Sequence, residues 1–357
     1  MADENSEKRR LEEVEQCSDA MQACNDGQYE LARSLWEKLA DEGNLVASVD
    51  LARLHMRSLV NKPNLDLAAK LFEDAGAQGL PEAYVELGGM HEDGIGIAIN
   101  VKESFKFYHL SAKQNNAEGM FHVGRCYLHG IGIKKNVANA TIWLGKSAHF
   151  DNALACFYMG ALYQIGQEIE RDYAMASNFY ERGATLGNSN CQFRLGIMYR
   201  DGVGRDQNLE QAYSLFLLSA NSNNPMGQYL LGCLYLHGQG VEQDFDLARK
   251  KIEMAAEQGL TDAMLELGAI YGKGLGVPID RAKSIELYKK AAELGCEMSC
   301  INLGIIFLNG DGIDQDIELG VQYVTQAAAR GSAEARNILV ELKKRYGIET
   351  PETPVIQ

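Results

Sequence analysis

A glycine stands at residue 88, and steps of 36 residues reach Gly124, Gly160, Gly196, Gly232, Gly268 and Gly304, with Ala52 one step before and Val340 one step after. No insertion or deletion breaks that register. A period of this length describes a supersecondary unit that cannot bury its apolar face alone and must be covered by neighbouring copies. The expected fold is therefore all-α, a right-handed α-solenoid of eight 36-residue helix pairs with capping helices at its ends.

Other columns keep the same step. Five residues before the glycine come small or apolar residues (Ala47, Ala83, Gly119, Ala155, Cys191, Gly227, Ala263, Ser299, Ala335). One residue before it lies a Leu, Val or Met, and three after it a His, Tyr or Phe, from His55 to Phe307. These spacings place all of them on one face of a first helix. A glycine pair such as Gly94/Gly96 or Gly202/Gly204 ends that helix, and repeat four departs by carrying Glu168 in the second slot. The column Asn64, Asn100, Asn136, Asp172, Asn208, Asp244, Asp280, Asp316 supplies N-caps for a second helix. That helix stops at Gly43, Gly79, Asn115, Asp151, Gly187, Asn223, Gly259, Gly295 and Gly331, residue types that tolerate a left-handed C-cap.

The string Ala263, Leu267-Gly268, Tyr271, Gly274-Leu275-Gly276-Val277, Asp280, Ala291-Ala292, Gly295 resembles the Sel1-like repeat, a branch of the tetratricopeptide-type α-solenoids. The resemblance implies a non-catalytic scaffold or adaptor that holds proteins together. A regulator or inhibitor dedicated to one enzyme or toxin, of the immunity or effector type, is the alternative.

Organisation follows from the register. Residues 1–27 form a polar segment and capping helix, with Leu11, Val14, Cys17 or Ser18, Met21 and Cys24 at helical spacing over 8–25. Residues 28–346 form the solenoid, with full repeats over 44–331 and a terminal helix over 332–346. Residues 347–357, with Pro351 and Pro354, form a disordered tail.

With 34 basic and 49 acidic residues the formal charge is −15, which argues against nucleic acid or an anionic membrane surface as a partner. Residues 1–15 are mostly charged and polar, and no stretch approaches the roughly 20 apolar residues of a membrane span. The expected partners are proteins or peptides, with no nucleic acid and no direct membrane insertion; the protein is expected to be monomeric and cytoplasmic. The eight cysteines fall in different repeat slots and are read as reduced, buried small residues.

No catalytic, cofactor or metal site is expected. The repeated Gly-x-Gly follows a helix rather than a strand and lacks the Lys-Ser/Thr ending of a phosphate loop. Some relatives of the repeat have been linked to β-lactam chemistry, but Ser-x-x-Lys is missing here. His122, Cys126 and His129 share a helix face at metal-ligand spacing, yet they sit in ordinary packing slots.

The column three residues before the glycine carries Val49, Val85, Phe121, Phe157, Phe193, Tyr229, Leu265 and Ile301. If it faces a concave groove, its four consecutive aromatics form a ladder for a peptide or partner helix. The competing expectation is that they pack against the next repeat. The candidate partner-binding residues are Phe121, Arg125, Phe157, Gln164, Phe193, Arg200 and Tyr229, since arginine beside aromatic rings makes an interface anchor.

Overall fold

The computed structural model describes residues 2–60 and 62–347, all helices and connecting turns. The helices fall into two compact units, Met1–Leu186 and Gly187–Gln357, which part at a repeat boundary. The first holds α1 (Ala2–Gln16), α2 (Ser18–Asn25) and α3 (Tyr29–Asp41), then the pairs α4 and α5 (Leu45–Met56, Leu65–Ala77), α6 and α7 (Pro81–Asp93, Val101–Lys113), α8 and α9 (Ala117–His129, Val137–His149), and α10 and α11 (Ala153–Ile165, Tyr173–Thr185). The second holds α12 and α13 (Ser189–Asp201, Leu209–Asn221), α14 and α15 (Pro225–His237, Phe245–Glu257), α16 and α17 (Thr261–Lys273, Arg281–Glu293), α18 and α19 (Glu297–Asn309, Ile317–Ala329), and the closing α20 (Ala333–Tyr346). Residues 348–357, where a disordered tail is expected, lie outside the described residues.

Each sequence column has a mechanical counterpart. Asn or Asp at the start of every second helix from α5 to α19 accepts a hydrogen bond from the backbone N–H three residues on, as Asp244 does from Leu247 at 2.8 Å. The N–H of the same cap donates back to the carbonyl of the aromatic or His column, Asn208 to Tyr199 at 2.8 Å and Asp316 to Phe307 at 2.9 Å, and so closes the turn between paired helices. The second helices end in left-handed residues at every expected position, from Gly43 (φ 87°) through Asn115 (φ 60°) to Gly331 (φ 111°). The next residue caps the following first helix: Asn44, Asn116, Asn152, Asn188 and Asn224 each accept from a backbone N–H. That cap column emerges from the structure and not from the sequence pattern.

The glycine column is explained by what it faces. A Cβ on Gly196 would lie 2.5 Å from Cε1 of Phe216, and one on Gly160 the same distance from Cε1 of Tyr180. Both rings are fully buried, so the absent side chain is the socket that lets the paired helices approach.

One expected element is reorganised. The capping helix over 8–25 is two helices, broken at Cys17, because Asn44 Nδ2 donates to the Glu13 carbonyl at 3.0 Å and Cys17 N bonds Val14 instead. Leu11 (66% exposed) and Val14 are consequently exposed, while Cys17, Ala20 and Ala23 reach the core.

Candidate functional site

In the first unit, the first helices α4, α6, α8 and α10 turn one stripe outward, made by the residues six and two before and one and five after the glycine. Those offsets span only about 60° of helix at 100° per residue. The stripe reads Glu82, Glu86, Gly89, Asp93 on α6 and Leu154, Tyr158, Ala161, Ile165 on α10. Leu154 and Ile165 are 46% and 52% exposed.

The aromatic column sits about 100° away and is largely covered. Phe121 is 6% exposed, and the Tyr158 ring of the next repeat stands edge-on to it with centroids 5.3 Å apart. Phe193, in the second unit, is 7% exposed within the cluster of Phe216, Leu230 and Leu231. Packing against the next repeat, rather than exposure on a groove, therefore describes both residues. Phe157 is half-buried, edge-on to Tyr158 and tilted against Tyr180. Tyr229 is half-buried beside Cys233, and burial pushes the tyrosine well above its usual range and the cysteine to about 12.

The polar candidates are engaged within the fold. Arg125 Nη2 donates to Glu92 Oε2, the oxygen that also accepts from Tyr108 Oη at 2.8 Å. Burial opposes the charge on Glu92, but the bonds from Arg125 and Tyr108 outweigh it and hold its carboxyl below the usual range. Two repeats further along, Gln164 takes the place of Glu92 and accepts from Tyr180 Oη at 2.8 Å. Arg200 bonds Asp201 at 2.7 Å. Arg125, itself on the outer stripe, thus ties α8 to the neighbouring first helix α6, Gln164 ties α10 to its paired helix α11, and Arg200 is held by its chain neighbour.

His122 stacks on Tyr108 with centroids 4.3 Å apart and rings 10° from parallel. Burial and then the adjacent Arg125 depress its pKa to about 4, so it is neutral at physiological pH. Cys126, on the same helix, is fully buried and its thiol is pushed up to about 12 by burial. Among the described residues no group of three His, Cys, Asp or Glu side chains is arranged to hold a metal ion. All eight cysteines are unpaired, and no helix among the described residues is long and apolar enough to cross a membrane.

What the sequence pattern did not reveal is a cleft of about 320 Å³ between α6 and α8, whose lining includes Val85, Glu86, Gly89, Asp93 and Glu118. The available signal was polarity: the column two before the glycine (Asp50, Glu86, His122, Tyr158, Arg194, Leu230, Glu266, Asn302) changes character from repeat to repeat, whereas the column three before it is apolar or aromatic throughout. A position that tolerates such changes of polarity lies at the edge of the core: it is half-buried in seven of these repeats and buried only at Leu230.

The profile described as Sel1 repeat matches residues 26–44, 46–80, 81–116, 117–149, 153–188, 189–224, 225–260, 261–296 and 298–332. Eight of these nine segments follow the 36-residue register, and the shorter first one covers α3. The chain is similar to a protective antigen present in uropathogenic Escherichia coli strains that displays an SLR fold: 25% identity, covering 94% of this chain and 84% of that one, with a TM-score of 0.65. It is also similar to a Sel1 repeat protein from Oxalobacter formigenes, at 24% identity over 87% of this chain and 89% of that one, with a TM-score of 0.61. No curated sequence matches the chain.

Proposed function

The chain belongs to the Sel1 repeat family, and on that premise we propose that it is a non-catalytic scaffold or adaptor, binding protein or peptide partners through the outward stripe of its first helices. Proteins built from Sel1 repeats generally mediate protein–protein interaction, and that general role is what this chain shares by membership. The observation that carries the finer reading is the stripe itself, where large apolar side chains such as Leu154 and Ile165 stand exposed on a helix face. Exposed apolar groups on helices held rigidly from behind are what an interface needs. The polar residues expected to bind a partner, Arg125, Gln164 and Arg200, are engaged in contacts within the fold, which favours the exposed apolar positions as the contact surface. Eight unpaired cysteines support a reducing, cytoplasmic setting, and we take the protein to act as a monomer.

The test is affinity capture from the native cell with the full chain, comparing wild type with a Leu154→Lys/Ile165→Lys variant whose thermal melt is unchanged. Loss of specific captured proteins supports the stripe as the working surface. Several partners recovered in separable complexes mark a scaffold, while one tight stoichiometric complex marks a dedicated inhibitor. Identical captures with both proteins would overturn the assignment to this face.

A further inference from the structure

The stripe of the first unit is interrupted at one place. Where α4 carries Arg53 and α8 carries Arg125, α6 carries Gly89, and a Cβ there would meet nothing nearer than Tyr108 Oη at 3.9 Å. This missing side chain leaves room in the 320 Å³ cleft, whose lining sets Val85 and Gly89 beside Glu86, Asp93 and Glu118 and also includes Arg125.

The cleft is short of cations. Helices α4, α6 and α8 together hold six carboxylates and two arginines, and both arginines are committed: Arg53 to Asp50 at 3.0 Å and Glu86 at 2.6 Å, Arg125 to Glu92. Glu118 has no hydrogen-bond or ion-pair partner among the described residues. Partial burial first, then the neighbouring Glu86, raise its carboxyl above the usual range against the opposing pull of Arg53, so a further positive charge beside it would be favourable.

The chain itself supplies such a charge next door. Arg10 of α1, 72 positions upstream, places Nη2 2.6 Å from Oε1 of Glu82, one helical turn from Glu86 on the same stripe. A guanidinium on a long stem thus already occupies the first carboxylate of the row and Arg53 holds the second, Glu86, while Asp93 has no hydrogen-bond or ion-pair partner among the described residues.

Building on the scaffold reading above, we propose that the Gly89 cleft receives a lysine or arginine side chain from an exposed segment of a protein partner, its methylenes over Val85 and Gly89 and its cationic head between Asp93 and Glu118. An apolar lining beside carboxylates matches the two halves of such a side chain. The acidity of the chain as a whole draws basic segments towards it, and the notch selects where one side chain seats.

The test uses the full chain and four pools of 15-residue synthetic peptides, randomised except for a central Lys, Arg, Ala or Glu. Retention on immobilised protein is measured at 150 mM salt for wild type, Gly89→Leu, Glu118→Lys and Glu210→Lys. Glu210 is exposed at the second position of α13, as Glu118 is at the second position of α8, so the two charge reversals change net charge and helix terminus alike. The expected result is at least tenfold greater retention of the Lys and Arg pools on wild type, lost in Gly89→Leu and Glu118→Lys and kept in Glu210→Lys. Equal retention of all four pools overturns the proposal, as does equal loss in Glu118→Lys and Glu210→Lys, which would mean diffuse attraction. Should Gly89→Leu fail to fold, Glu118→Lys against Glu210→Lys still decides. Native-cell captures that persist unchanged while the pools fail to discriminate would remove the cleft and leave the scaffold reading standing.

Discussion

Two adjacent glycines in α6 provide a strict test of the packing logic. A methyl group on Gly88 would fall 2.5 Å from Cε1 and 2.6 Å from Cδ1 of Tyr108, about 1 Å inside ordinary carbon contact, whereas one on Gly89 has 3.9 Å of clearance to Tyr108 Oη. Tyr108 cannot step aside: its ring is 2% exposed, His122 stacks on it at 4.3 Å, and its hydroxyl is bonded to Glu92 at 2.8 Å. Replacing either helical glycine with alanine gains about 1 kcal/mol of helix propensity. Gly89→Ala should therefore stabilise by up to about 1 kcal/mol. Gly88→Ala adds an overpacking cost of about 1–3 kcal/mol and should be neutral to destabilising by about 2 kcal/mol. The difference between the variants cancels the propensity gain and reads the overpacking alone. Urea denaturation of the full chain gives the two midpoints, and hydrogen exchange of α6 and α7 amides localises the effect, since in a helix-pair array the loss should concentrate at the altered pair and its neighbours. In a Tyr108→Leu background the penalty at Gly88 should shrink, giving a coupling of about 0.5–3 kcal/mol. Stabilities of Gly88→Ala and Gly89→Ala that agree within about 0.5 kcal/mol would refute the socket.

Three further outcomes follow from individual contacts. Asp244→Ala removes the acceptor for Leu247 N–H at 2.8 Å and should cost about 1 kcal/mol in urea denaturation, with Asp244→Asn close to wild type. His122 is neutral in the folded state with its pKa lowered to about 4 from 6.5, so the unfolded chain takes up the proton first: stability should be level above pH 6.5 and fall as pH drops from 6.5 towards 4, at up to about 1.4 kcal/mol per unit. Denaturation of wild type and His122→Gln at pH 7 and pH 5 checks it, the variant losing less over that interval. Cys233 is half-buried beside Tyr229 with its pKa pushed to about 12, so iodoacetamide at pH 7.5 should label it far more slowly in native than in urea-unfolded protein, as read by mass spectrometry; equal rates would contradict the assigned burial.

The difference between what the sequence disclosed and what it withheld lies in how many times a constraint is repeated. Gly160 facing Tyr180, Gly196 facing Phe216 and Gly268 facing Tyr288 are one steric relation printed several times, so a fixed step recovers it without any structure. The caps at Asn208 or Asp280 are legible for the same reason, since a helix start imposes the same demand in every unit. The orientation of the first helices is a weaker signal, because columns at adjacent positions differ by only 100° and both lie beside the apolar face. Which of them is covered depends on how far the next repeat reaches across, and Tyr158 over Phe121 shows that it reaches past the aromatic column. The break at Cys17 was hidden for another reason: it depends on Asn44, 27 residues away, taking the Glu13 carbonyl. The Gly89 cleft was the least visible of all, since it arises where a side chain is missing from a column that otherwise follows no rule. Features that carry a partner's identity are of this last kind. The period can build the scaffold only from what every repeat shares, and recognition must be written in what one repeat does differently.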